Sequence, residues 1–124
     1  MAGESILIVD DNATNLKLAR VLLAGEGYAV RTASDAEEAL KVLETFAPQL
    51  ILMDIQLPGM DGLTLTRRLK SDPTRSHILV VALTAYAMKG DEEKARAAGC
   101  DGYVPKPIDT DRLPKMIAEL LARG

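Results

Sequence analysis

The chain has 124 residues, 48% hydrophobic and 27% charged, which suits one domain with its own core, is unlike a disordered tail, and leaves no room within these residues for a second domain. Fifteen Lys and Arg against eighteen Asp and Glu give a net charge of −3 without any basic run, so the electrostatic footprint of a nucleic-acid binder is missing. A single cysteine, Cys100, and a single histidine, His77, exclude an intrachain disulfide and a Cys/His metal cage, leaving oxygen as the ligand chemistry for any metal.

Met1 to Ser5 lacks the basic region of an export signal. The apolar stretches Leu50 to Met53 and Ile78 to Leu83 are far shorter than the roughly 18 residues needed to cross a bilayer, so a cytoplasmic location is expected. Ser5 to Asp10 reads as a buried strand that stops at acids. Asn12 to Ala24 places Leu16, Ala19 and Leu23 on one helical face, and Gly25 is expected to close that helix in the left-handed conformation. Tyr28 to Ala33 is a weaker strand, followed by Ser34 and Glu37 as a capping box for a helix carrying Ala36, Ala39, Leu40 and Leu43. The unit then recurs with strand Leu50 to Met53, a loop holding Pro58, Gly59 and Gly62, and a helix with Leu65 and Leu69 inside. Strand Ile78 to Leu83 leads to a charged helix, Asp91 to Ala98, that ends at Gly99. Strand Gly102 to Val104 precedes a last helix with Leu113, Ile117, Leu120 and Leu121 facing inward. Pro114 is tolerated only in the first turn of that helix, which points to Asp111 as its cap. Strands that read as unbroken apolar runs are covered on both faces, so the expected fold is a three-layered α/β domain with a parallel sheet.

In such a sheet the ligand site lies outside the carboxyl ends of the strands. Asp10 and Asp11, Asp54, Thr84, and Lys106 with Pro107 all follow strand ends. Apolar strands gain nothing from ending in clustered acids, which raise one another's pKa unless a cation intervenes. Hard oxygen ligands with few protein anchors suit Mg²⁺. Lys106 supplies a fixed cation and Thr84 a hydroxyl donor for phosphoryl oxygens, so the set points to phosphoryl transfer onto a carboxylate, with Asp54 as acceptor.

The runs Ile8-Val9-Asp10-Asp11-Asn12, Met53 to Gly62, Leu83-Thr84-Ala85 and Tyr103-Val104-Pro105-Lys106-Pro107, in that order, resemble the receiver domain of bacterial two-component response regulators over essentially the whole chain. The resemblance implies a single receiver domain over residues 1–124 with a flavodoxin-like sheet of order 2-1-3-4-5 and five helices. It implies that Asp54 accepts a phosphoryl group from a histidine kinase or a histidine phosphotransfer protein. Asp11, Asp54 and the backbone carbonyl of Gln56 are then Mg²⁺ ligands, with Asp10 assisting through water. Thr84 and Lys106 contact the phosphoryl oxygens, Ala85 is small enough to leave the acceptor open, and Tyr103 is the switch aromatic. Gln56 and Tyr86 occupy positions that tune dephosphorylation, and the Lys106–Pro107 bond is expected to be cis. The stretch Ala85 to Glu93 is similar to single-domain cell-cycle regulators of the DivK type and to receivers attached to hybrid kinases.

Plainer readings stand beside these. Asp10 and Asp11 also suit a helix cap and its solvated neighbour, Thr84 a strand-end turn, and Lys106 a surface position. Tyr103 packs well in a strand whatever its role, Cys100 reads as a small structural residue, and His77 as a loop surface residue. Lys89 to Arg96 reads as a solvated helix face, and its placement beside the fourth strand makes it a candidate partner surface. The leading expectation is a regulatory switch, with no enzymatic activity beyond slow autodephosphorylation, acting as a monomer or weak dimer. It would signal through the face of the fourth helix, fifth strand and fifth helix to a downstream protein, with no nucleic acid or membrane involved. A Mg²⁺-dependent phosphohydrolase is opposed by Gln56, which stands where a second acid is needed, and by the lack of room for a cap domain. A binding module that works unphosphorylated is opposed by the full acid, hydroxyl and lysine set. The initial Met1 favours a stand-alone protein over a receiver cut from a hybrid kinase.

Overall fold

The computed structural model describes residues 3–84 and 89–123. Strand and helix alternate as β1 (Ser5–Val9), α1 (Ala13–Gly25), β2 (Ala29–Ala33), α2 (Ala36–Leu43), β3 (Leu50–Asp54), α3 (Gly62–Ser71), β4 (Leu79–Thr84), α4 (Lys89–Ala98), β5 (Gly102–Pro105) and α5 (Arg112–Arg123). All four strand pairings are parallel, in the order β2-β1-β3-β4-β5, which bears out the expected flavodoxin-like arrangement.

The alternation of side chains along each strand divides the core in two. Leu7, Val9, Ile51, Met53, Val80 and Ala82 pack with α2, α3 and α4 residues such as Ala39, Leu65, Leu69 and Ala95. Ile6, Ile8, Leu50, Leu52, Val81 and Leu83 pack with Ala19 and Leu23 of α1 and Leu113 and Ile117 of α5. The division follows from right-handed crossovers: the chain moves outward from β1 to β2 and then runs the other way through β3, β4 and β5. Helices on the return path therefore lie opposite α1. Among the described residues no helix is long and apolar enough to cross a membrane.

Several ends differ from the sequence reading by one or two residues, each for a local reason. Gly25 stays within α1, and the left-handed residue is Gly27, with φ 96°. The Gly27 and Tyr28 N–H groups donate to Ala24 and Leu23 carbonyls, the paired bonds of a Schellman ending. The capping box of α2 sits one residue later than expected. Asp35, not Ser34, accepts the Glu38 N–H, and the Glu38 carboxylate accepts the Ser34 N–H. At α5, Pro114 does fall in the first turn, but the capping carboxylate is Asp109 rather than Asp111: its Oδ1 accepts the N–H groups of Asp111 and Arg112. Gly62 is the first residue of α3 rather than part of the loop, whereas Gly59, with φ 73°, is a true turn glycine. Gly99 ends α4 as expected, His77 is exposed, and Cys100 is buried in the core.

Candidate functional site

The parallel register carries the ends of β1, β3 and β4 and the start of the β5–α5 loop to one edge of the sheet. Val9 lies beside Met53, Asp54 beside Leu83, and Thr84 beside Pro105. Main-chain bonds continue the ladder beyond the strands, with the Ile55 N–H donating to Leu83 O at 3.0 Å and the Lys106 N–H to Thr84 O at 2.7 Å. Residues far apart in the chain thus become neighbours because their strands end together.

Lys106 Nζ bridges two carboxylates, 2.9 Å from Asp54 Oδ2 and 3.2 Å from Asp10 Oδ2. Both acids are almost wholly buried, at 1% exposure for Asp10 and 2% for Asp54, and their remaining oxygens accept main-chain donors. Asp10 Oδ1 takes the Asn12 N–H at 2.9 Å, and Asp54 Oδ1 the Gln56 N–H at 2.8 Å. Burial pushes the Asp10 carboxyl up from its ordinary pKa, and the Asp54 charge adds to this, against the lowering effects of the Asn12 N–H and of Lys106. For Lys106, burial acts to lower the pKa, but the hydrogen bond to Asp54 and the charges of both acids outweigh it and hold the ammonium up.

Asp11 stands beside the pair and is exposed to solvent, and among the described residues only Lys106 forms ion pairs with the two buried acids. Asp10, Asp11 and Asp54 each offer an oxygen within 4.8 Å of the others. Asp10 Oδ2 meets Nζ as an ion pair at 3.2 Å, and among the described residues this buried oxygen has no hydrogen-bond partner. An all-oxygen set with one open carboxylate and one such oxygen fits a hard, partly hydrated cation such as Mg²⁺.

Thr84 is fully buried at the end of β4, Gln56 is exposed in the loop after Asp54, and Tyr103 is half-buried against the α2–α4 side of the core. The Lys106–Pro107 bond is cis. Ala85 and Tyr86 lie outside the described residues. A groove of about 520 Å³ runs from Tyr103 and Lys106 past Arg112 to Met116 and Glu119 on α5.

Two features escaped the sequence reading. A Cβ on Gly62 would lie 2.2 Å from the Asp54 carbonyl oxygen and 2.7 Å from Ile55 Cα, so α3 begins in direct contact with the main chain of Asp54. Thr66, in the interior beside the expected Leu65 and Leu69, is fully buried and donates to Gly62 O at 2.8 Å. A polar residue inside an apolar helical stripe was the available signal for the second; the first has none in the sequence.

Residues 6–118 match the family model described as response regulator receiver domain. The chain is 46% identical over 118 residues to the polar-differentiation response regulator DivK of Brucella anthropi, covering 95% of this chain and 96% of the relative. Among solved structures, a response regulator from Chloroflexus aurantiacus superposes with a TM-score of 0.92 at 32% identity, over 97% of this chain and 98% of that one. The receiver domain of the sensor histidine kinase PA1611 from Pseudomonas aeruginosa, solved with a magnesium ion coordinated in its active-site cleft, gives 0.88 at 32% identity, over 98% and 99%.

Proposed function

This chain belongs to the response regulator receiver domain family, and from that premise we propose that it is a phosphoacceptor switch in a two-component phosphorelay. The observation that carries the reading is the buried Asp54 carboxylate, held at 2.9 Å by Lys106 with Asp10 and Asp11 beside it. An Asp54 oxygen attacks phosphorus, a P–O bond forms, and the P–N bond to the donor histidine breaks with its electron pair leaving on the imidazole. The donor is a histidine kinase or a histidine phosphotransfer protein. The Gln56 N–H orients the acceptor, and Lys106, released from Asp54 Oδ2, compensates charge on the transferred group. Asp10, Asp11, Asp54 and the Gln56 carbonyl would hold Mg²⁺, which supplies charge neutralisation at the phosphoryl oxygens.

Thr84 then contacts a phosphoryl oxygen, Ala85 leaves the acceptor accessible, and Tyr103 turns with Thr84. Gln56 and Tyr86 set how long the phosphoryl group stays. Output passes through α4, β5 and α5, where the groove beside Tyr103 receives a downstream protein differently in the two states. The whole of residues 1–124 acts as one receiver in the cytoplasm, regulatory rather than enzymatic apart from slow autodephosphorylation. The similarity to the PA1611 receiver supports a second reading, in which the same site serves a hybrid histidine kinase.

The test is the intact mass after incubation with Mg²⁺ and acetyl phosphate. A gain of one phosphoryl group that requires Mg²⁺ and is absent in Asp54→Asn is expected. No gain with either acetyl phosphate or phosphoramidate overturns the reading in favour of an unphosphorylated binding module.

A further inference from the structure

Of the polar or charged residues buried among those described, Asp10, Asp54 and Thr84 end strands at the acid pocket, and Thr66 on α3 does not. A valine has the same shape and no hydroxyl to desolvate, so a buried threonine here needs hydrogen-bond partners. Its Oγ1 donates to Gly62 O at 2.8 Å. Gly62 is the residue that rests on the acceptor: the space of its missing Cβ is filled by Asp54 O, Asp54 C and Ile55 Cα, and its N–H donates to Ile55 O at 3.2 Å. A threonine bonded back to the carbonyl four residues earlier often alters the course of its helix. With no free space at Gly62, any shift of that first turn passes to the main chain of Asp54.

We propose that Thr66 is a positioning residue for phosphoryl transfer, its hydroxyl seating the first turn of α3 against the Asp54 main chain and so fixing the acceptor carboxylate relative to Lys106. The inference rests on the reading of Asp54 as phosphoacceptor. Misplacement of a reacting group by about 1 Å costs on the order of a hundredfold in rate, so a shift of a few tenths of an ångström gives a loss of about fivefold.

The experiment measures phosphorylation rates by intact mass, with acetyl phosphate and Mg²⁺ varied in turn, for wild type, Thr66→Val and Thr66→Ser, at a temperature where circular dichroism shows each to be native. The valine variant is expected to lose about fivefold in maximal rate, while the donor KM and the Mg²⁺ half-saturation stay within about twofold, and serine restores the rate. If the valine variant does not fold, Thr66→Ala must show the same pattern. A wild-type rate in the variant lacking the hydroxyl overturns the inference. So does a serine variant as slow as valine, which would show that the hydroxyl does not by itself set the rate, or a parallel change in KM and Mg²⁺ dependence, which would signify general loosening. A wild-type protein that takes up no phosphoryl group overturns the proposed function itself, and this inference with it.

Discussion

Replacing Gly62 with alanine forces a methyl group into the main chain of the acceptor residue. The new Cβ would stand 2.2 Å from Asp54 O, 2.7 Å from Ile55 Cα and 2.9 Å from Asp54 C. All three are backbone atoms of a strand end held by β4, so no side-chain rotation relieves the contact. Carbon and oxygen need a separation of roughly 3.2 Å or more, so α3 and β3 must part by about 1 Å. Overpacking of this kind costs about 1–3 kcal/mol, and the unyielding neighbours place this case at about 3. The better helix propensity of alanine returns at most about 1 kcal/mol, leaving a net loss of about 2. In urea denaturation, with a slope of about 2 kcal/mol/M, the midpoint should fall by about 1 M without a change in slope. Gly59→Ala is the control: its φ of 73° carries left-handed strain of about 1 kcal/mol, but nothing lies within 4 Å of the added methyl. A Gly62→Ala protein as stable as wild type, or more stable than Gly59→Ala, would refute the claim that α3 rests on the acceptor backbone.

Asp10→Asn should raise the urea midpoint at pH 7 in the absence of divalent cations. The Asp10 carboxyl titrates above its unfolded value of 3.8, mainly through burial, so the stability of its protonated form is present below that value and lost as pH rises through the folded pKa. Asparagine avoids this loss, and the gap between the two proteins should close on acidification; a constant gap would count against the assignment. Mg²⁺ at ten times its dissociation constant should stabilise the wild type by about 1.4 kcal/mol. Asp11→Ala, which removes an exposed ligand, should abolish that increment while leaving the metal-free melting temperature unchanged. At α2, Asp35→Ala should cost about 1 kcal/mol by chemical denaturation, and Ser34→Ala only a small fraction of that, since the Ser34 contribution to the cap is its main-chain N–H.

Much of the architecture is written locally. Unbroken apolar runs such as Leu50 to Met53 require cover on both faces, and helical stripes such as Leu113 and Ile117 supply it, so the parallel α/β order follows from periodicity and chain economy. Polar residues at the strand ends then name the site, because such a sheet gathers its carboxyl ends along one edge. Helix ends were less legible. Ser34 and Asp35 are both good caps, as are Asp109 and Asp111, and packing of the helix on the sheet decides which one turns its side-chain oxygen onto the free N–H groups.

Tertiary structure alone decided how the acids differ. Asp10 and Asp11 are adjacent and chemically identical, yet one is buried against Lys106 and the other open to water, because the chain leaves the sheet between them. The Lys106 bridge joins residues 10, 54 and 106 through the register of three strand ends, a relation that no local pattern encodes. The contact of Gly62 with Asp54 has the same origin. Sequence periodicity specifies which face of an element is apolar, whereas the distance between two elements depends on the side chains of both and appears only when they pack.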